Sequence, residues 1–151
     1  MQSEIAEFIR LETGRSYVSD WIEIDQPLID RFADCTRDWN FLHVDPAAAG
    51  QTEFGGTIAH GFLVLSLLAP LRTATNRPNF PHLRVGVNFG LERVRWVQPV
   101  RSGSRIRAKF EIAAITETAP GRYREELDVT VEAEGLDRPA LAARWLTMYM
   151  T

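Results

Sequence analysis

Apolar residues fall at Ile5, Phe8 and Ile9, at i, i+3 and i+4. That spacing predicts a short amphipathic helix, stopped near Gly14. Trp21-Ile22-Glu23-Ile24 reads as a short strand. Asp25 then predicts a capped helix with Leu28, Ile29, Phe32 and Ala33 on its apolar stripe, ending near residues 36–38. Asp45-Pro46 reads as a second helix start, with Asp as the cap and Pro at the first position. Gly55-Gly56 allows a tight turn, and Thr57 can cap the next helix. A single central helix is predicted over residues 58 to about 72. It is apolar on nearly every side, so it should be buried all round.

The period then changes from helical to alternating. Leu83, Val85, Val87, Phe89 and Leu91 keep one parity, while Val94 and Trp96 fall on the other. The switch predicts a bulge near Gly90. Ile106, Ala108, Phe110, Ile112 and Ala114 alternate with Arg105, Arg107, Lys109 and Glu111. Leu127, Val129, Val131 and Ala133 alternate with acids and threonine, and residues 141–150 form a more fully apolar strand. Antiparallel strands with one wet face give this pattern. An all-apolar helix before such a sheet implies an α+β fold in which the sheet curls around the helix. The sheet supplies only part of the cover. A homodimer is therefore expected, in which a second chain completes the helix surface and the strand edges.

The chain has 151 residues, which fits one domain over residues 1–151. Its net charge of −3 argues against general nucleic-acid binding. The one cysteine, Cys35, rules out an intramolecular disulfide and a cysteine zinc site. Cys35 is expected to be a small buried hydrophobe, and a reducing cytoplasm fits. The first ten residues carry acids early and no long apolar core, unlike a signal peptide. Residues 62–71 are the longest apolar run, shorter than the roughly 20 residues a membrane span needs.

One stretch stands apart. Residues 36–46 read T-R-D-W-N-F-L-H-V-D-P and hold Asp38, Asn40, His43 and Asp45 among Trp39, Phe41, Leu42 and Val44. Polar groups interleaved with large apolar ones suggest a packed site. On one continuous helix Asp38 and His43 would point about 140° apart, so a break between them is needed if they act together. No second histidine comes after them at helical spacing, so no metal is expected.

Together these residues place the chain near a known family. Asp38-Trp39-Asn40-Phe41-Leu42-His43 resembles the Asp-x-Asn-x-x-His motif of the MaoC-like, (R)-specific enoyl-CoA hydratases. Val44-Asp45-Pro46, Ile58-Ala59-His60-Gly61 and the segment N-F-G-L-E-R-V-R-W resemble the family as well. The likeness runs over nearly the whole chain and is strongest to the short single-domain actinobacterial members grouped with nodulation-protein-N-like hydratases. Two positions depart from the family's pattern. Arg37 replaces a usual Gly, and Phe41 a frequent Pro.

The resemblance implies a hot-dog fold and hydration of a trans-2-enoyl thioester carried on coenzyme A or an acyl carrier protein. Asp38 and His43 would hold one water at the closed end of an acyl tunnel, with Asn40 fixing the loop, the water or the substrate. The Gly61 N–H would bind the thioester oxygen, and His60 and Phe62 would complete the substrate site. No cofactor is implied, because coenzyme A is part of the substrate. Two other readings stay open: a hot-dog acyl-CoA thioesterase, and a non-catalytic acyl-thioester-binding protein. Arg93, Arg95, Arg101, Arg105 and Arg107 fit a solvated sheet face; the alternative for them is contact with coenzyme A phosphates.

Overall fold

The computed structural model describes residues 1–151. Helix α1 (Gln2–Glu12) leads into two short strands, β1 (Ser16–Val18) and β2 (Ile22–Ile24). Helices α2 (Gln26–Thr36), α3 (Phe41–Val44) and α4 (Pro46–Ala49) come next. Then come α5 (Gly61–Ser66) and α6 (Leu68–Thr73), and four long strands: β3 (Val85–Trp96), β4 (Ser104–Ala119), β5 (Arg122–Ala133) and β6 (Leu141–Met150). The strands form one antiparallel sheet ordered β1-β4-β5-β6-β3, with β2 also on β4.

The local chemistry obeys the predicted starts and stops. The Asp25 side chain caps α2 by accepting from the Leu28 N–H at 2.9 Å. Asp45 accepts from Ala47 and Ala48 and caps α4. Strand β3 changes register against β6 between Asn88 and Gly90, as expected, and again between Glu92 and Arg95. Arg93 has a positive φ of 54° inside that second irregularity.

The central helix differs from the prediction in three ways. It starts at Gly61 rather than residue 58. Residues 58 and 59 are extended: the Ile58 N–H donates to Leu42 O and the Ala59 N–H to Val100 O. Thr57 accordingly does not cap; its hydroxyl donates to Gln26 instead. The helix is also interrupted at Leu67, between α5 and α6. Pro70 explains the break, because it has no N–H for the Ser66 carbonyl four residues back and its ring crowds that carbonyl. Finally, the helix is not buried all round. Leu63, Val64, Leu68 and Leu71 enter the core with Ile106, Phe110 and Ile112 of β4. Phe62 is 65% exposed and Ser66, Ala69 and Pro70 face outward.

The same open side includes β3. It forms one end of the strand order, and its Val85, Val87, Phe89 and Leu91 are all exposed. Cys35 is exposed on α2 rather than buried. At the other end of the core, Glu125 is fully buried and holds an ion cluster. It accepts from Arg72 at 2.9 Å, from both terminal nitrogens of Arg77, and from the Tyr149 hydroxyl at 2.6 Å. Such a cluster fixes α6 and the chain after it onto β5 and β6, and losing one partner would strand a buried charge.

Candidate active site

Asp38 sits in the break that the sequence required. Arg37 closes α2 in a left-handed conformation, φ 63° and ψ 26°. The Asp38 N–H then turns back to Ala33 O, and the chain leaves the helix. Two residues later Asn40 opens α3, its side-chain oxygen accepting from the Leu42 N–H at 3.0 Å. Asn40 is thus the cap that sets the angle between Asp38 and His43; its side chain has a structural task. The turn brings Asp38, His43 and His60 together, with one polar atom from each inside a 4.8 Å group.

The two imidazoles are fixed by backbone carbonyls. His43 Nδ1 lies 2.7 Å from Ile58 O. A carbonyl only accepts, so Nδ1 carries the proton and Nε2 keeps its lone pair. His60 Nε2 lies 2.9 Å from Asp38 O, so by the same logic it donates and Nδ1 keeps the lone pair. The rings stack with centroids 3.8 Å apart and planes 26° from parallel. Burial holds the His43 imidazole below its ordinary range, and the neighbouring His60 adds to this; the bond to Ile58 and the Asp38 charge pull the other way. His43 is therefore a neutral base at neutral pH.

A His/His/Asp group raises the question of a metal. Sequence spacing did not foresee it, because His60 arrives from α5 rather than from the helix that bears His43. Imidazole lone pairs lie in the ring plane, and two nearly parallel stacked rings do not aim them at one point. Convergence is what zinc coordination needs, and the stacking of the two rings works against it although one donor atom from each of the three residues lies inside the 4.8 Å group.

Beside His43 lies an apolar cavity of about 290 Å³ walled by Gly61, Val64, Trp96, Pro99 and Val100. Gly61 is the first residue of α5, where helical N–H groups have no intrahelical acceptor. The expected site residues thus divide. His43 and Gly61 line the cavity, and Asp38 joins His43 from the preceding turn. His60 is 3% exposed and lies behind His43 rather than in the cavity wall. Phe62 is outside the cavity, its ring tilted against Trp96 at 5.2 Å. Trp39 and Phe41 are exposed rather than packed. Sequence reading missed Trp96 and Gln26 as site residues. Gln26 donates to His43 O at 2.7 Å and accepts from Thr57, tying α2 to the site; nothing in its local sequence signals this.

The arginine cluster is mostly satisfied within the chain. Arg105 pairs with Glu134 and Arg107 with Glu132. Arg101 donates to Gly55 O, closing the glycine turn, and Arg95 to Val94 O. These partners favour a sheet-face role. A larger cavity, about 440 Å³, lies at the Arg72 end of the molecule.

Comparison with known proteins identifies the family. The family model described as MaoC like domain matches residues 10–134. The chain belongs to the MaoC-like domain family. Two curated relatives are similar over most of their length. "Nodulation protein N" of Rhizobium leguminosarum bv. viciae is 43% identical over 97% of this chain and 89% of its own length. "3-hydroxyacyl-thioester dehydratase Z" of Mycobacterium tuberculosis is 37% identical over 87% of this chain and 86% of its own. Among solved structures, the (R)-hydratase of A. caviae involved in PHA biosynthesis superposes with a TM-score of 0.74 at 25% identity, covering 90% of this chain and 95% of that one. This MaoC-like domain therefore has the hot-dog architecture expected from its sequence. No helix in it is long and apolar enough to cross a membrane.

Proposed function

We propose that the chain catalyses the (R)-specific hydration of trans-2-enoyl-CoA to (R)-3-hydroxyacyl-CoA, and the reverse dehydration. One observation carries this reading. A carboxylate, Asp38, and a neutral imidazole with a free Nε2, His43, meet at an apolar cavity that also contains the first N–H of a helix. Relatives named (R)-specific enoyl-CoA hydratase and 3-hydroxyacyl-thioester dehydratase support it.

The chemistry balances over one water. His43 Nε2 takes a proton as the water oxygen bonds to the β-carbon, and the Asp38/His43 pair returns a proton to the α-carbon. Charge that builds on the thioester oxygen is met by the Gly61 N–H at the positive end of α5. Addition from one water on one face makes it syn. The reaction draws on no resident metal or cofactor; the acyl group arrives on coenzyme A or on an acyl carrier protein.

The enzyme works as a cytoplasmic homodimer. The exposed apolar row on β3 and the open side of α5 and α6 support this reading, since a second copy related by a two-fold axis would cover both. Incubation with crotonyl-CoA tests the function. Loss of enoyl absorbance with no free thiol and an (R)-3-hydroxy product is the expected result. Release of free coenzyme A would make it a thioesterase, and binding without turnover would make it an acyl-thioester-binding protein.

A further inference from the structure

His60 touches every part of the proposed machinery without lining the cavity. Its Nε2–H donates to the backbone carbonyl of Asp38 at 2.9 Å. Its ring stacks on His43 at 3.8 Å, and Phe32 packs against it with centroids 5.1 Å apart. Its backbone is the residue before Gly61 and opens α5, with no side-chain cap of its own. It is 3% exposed, and its Nδ1 is buried with no hydrogen-bond partner.

An orphaned buried nitrogen costs stability. A phenylalanine would fill the same flat space without that cost, so packing alone does not account for a histidine here. The donor at Nε2 does. It is the group that ties the Asp38 turn to the base of α5, and a ring is what holds the His43 plane.

We propose that His60 is the positioning residue of the site, locking the Asp38 turn, the His43 ring and the Gly61 amide into one rigid unit. The proposal rests on the hydratase reading for its kinetic consequences, but its structural content does not. The unit requires the Nε2–H tautomer of His60, whose donor reaches Asp38 O. The titratable groups bearing on His43 are His60 and Asp38.

Two variants separate the two tasks. His60→Gln keeps an amide donor for Asp38 O but loses the stacked ring. His60→Phe keeps the ring but loses the donor. Each should lower kcat of crotonyl-CoA hydration by about tenfold or more with KM changed little, since small misplacements near reacting atoms cost up to about 10²-fold. Each should also move the acid limb of kcat/KM upward, because a loosened His43 regains the water that burial now denies it. A residue that only packs would lower the melting temperature and leave kcat and the pH profile unchanged; that result overturns the proposal. Should either variant fail to fold, imidazole ¹⁵N NMR of the wild-type protein decides. His60 with its proton on Nε2 is expected, since that nitrogen faces the Asp38 carbonyl. The Nδ1–H tautomer overturns it. Absence of hydration by the wild-type chain would instead remove the hydratase reading and leave the tautomer result standing.

Discussion

The face of the Trp96 indole lies against Gly61. A β-carbon on that glycine would sit 2.6 Å from Trp96 Nε1, 2.8 Å from Cδ1 and 3.0 Å from Cε2. The near-equal distances place it above the five-membered ring, over the nitrogen. So the residue offered as thioester-oxygen donor is a glycine because an aromatic wall of the cavity leaves no room for anything else.

Gly61→Ala should therefore force Trp96 or the start of α5 to move. A stability loss of about 1–3 kcal/mol is expected, as for other overpacked sites. Activity should drop by about 10²-fold or more, since the donor moves with the helix. Thermal melts and steady-state rates check both. Adding Trp96→Ala should recover most of the stability, because the clash is with that side chain.

Asp38→Asn and His43→Gln should each leave a folded protein that still binds substrate. Each should lower kcat by at least about 10²-fold, the lower range for a positioned acid or base. The double variant should be little worse than the worse single one, because both groups act on one water. If both single variants kept more than about a tenth of wild-type kcat, the pair would be a turn and packing feature only.

The His43 environment sets a pH dependence. Burial depresses its folded-state pKa below the ordinary imidazole value, so the neutral base survives into mildly acidic solution. The acid limb of kcat/KM should fall below about pH 6.5, the free imidazole value. The stability effect has a definite sign. The unfolded chain binds the proton more readily, so this contribution is intact above about pH 6.5 and is lost as pH drops through the folded value. A limb at or above the free value would contradict the assignment of His43 as base.

The edge of the sheet gives a separate test. Phe89 is 58% exposed on β3, and a charge there should block pairing with a second copy while leaving the core of the chain alone. Phe89→Lys should shift light scattering from twice the chain mass towards 17.1 kDa. A wild-type protein that is already monomeric would remove the dimer from the proposal.

How much of this the sequence carried depends on the range of the interactions. The caps at Asp25 and Asp45, the break after α2 and the strand bulge near Gly90 are local, and each was legible from a few neighbours. So was the Asp38/His43 pair, through its spacing and a family likeness. The start of the central helix was not. Residues 58 and 59 have helix-compatible chemistry, but Leu42 and Val100 take their N–H groups from far along the chain. His60 above His43, Gln26 under His43 O and Trp96 over Gly61 are likewise non-local contacts with no local pattern. Trp39 and Phe41 were read as packed and are exposed, because interleaving with polar residues does not say which face of the turn the chain itself covers.

Arg37 closes α2 with a positive φ that L-residues other than glycine adopt only at a cost of about 1–2 kcal/mol. Its backbone shape is one that glycine adopts freely: the turn into Asp38 dictates the conformation, whatever side chain occupies it, and nothing in the structure explains the arginine itself. Arg37→Gly should then raise the melting temperature, by a gain of about 1 kcal/mol or less once the freer unfolded chain is counted, and leave hydration rates unchanged. Either residue keeps the neighbouring carboxylate in place. The arginine also sets an exposed cation one residue from Asp38 along the chain, where a glycine would leave none.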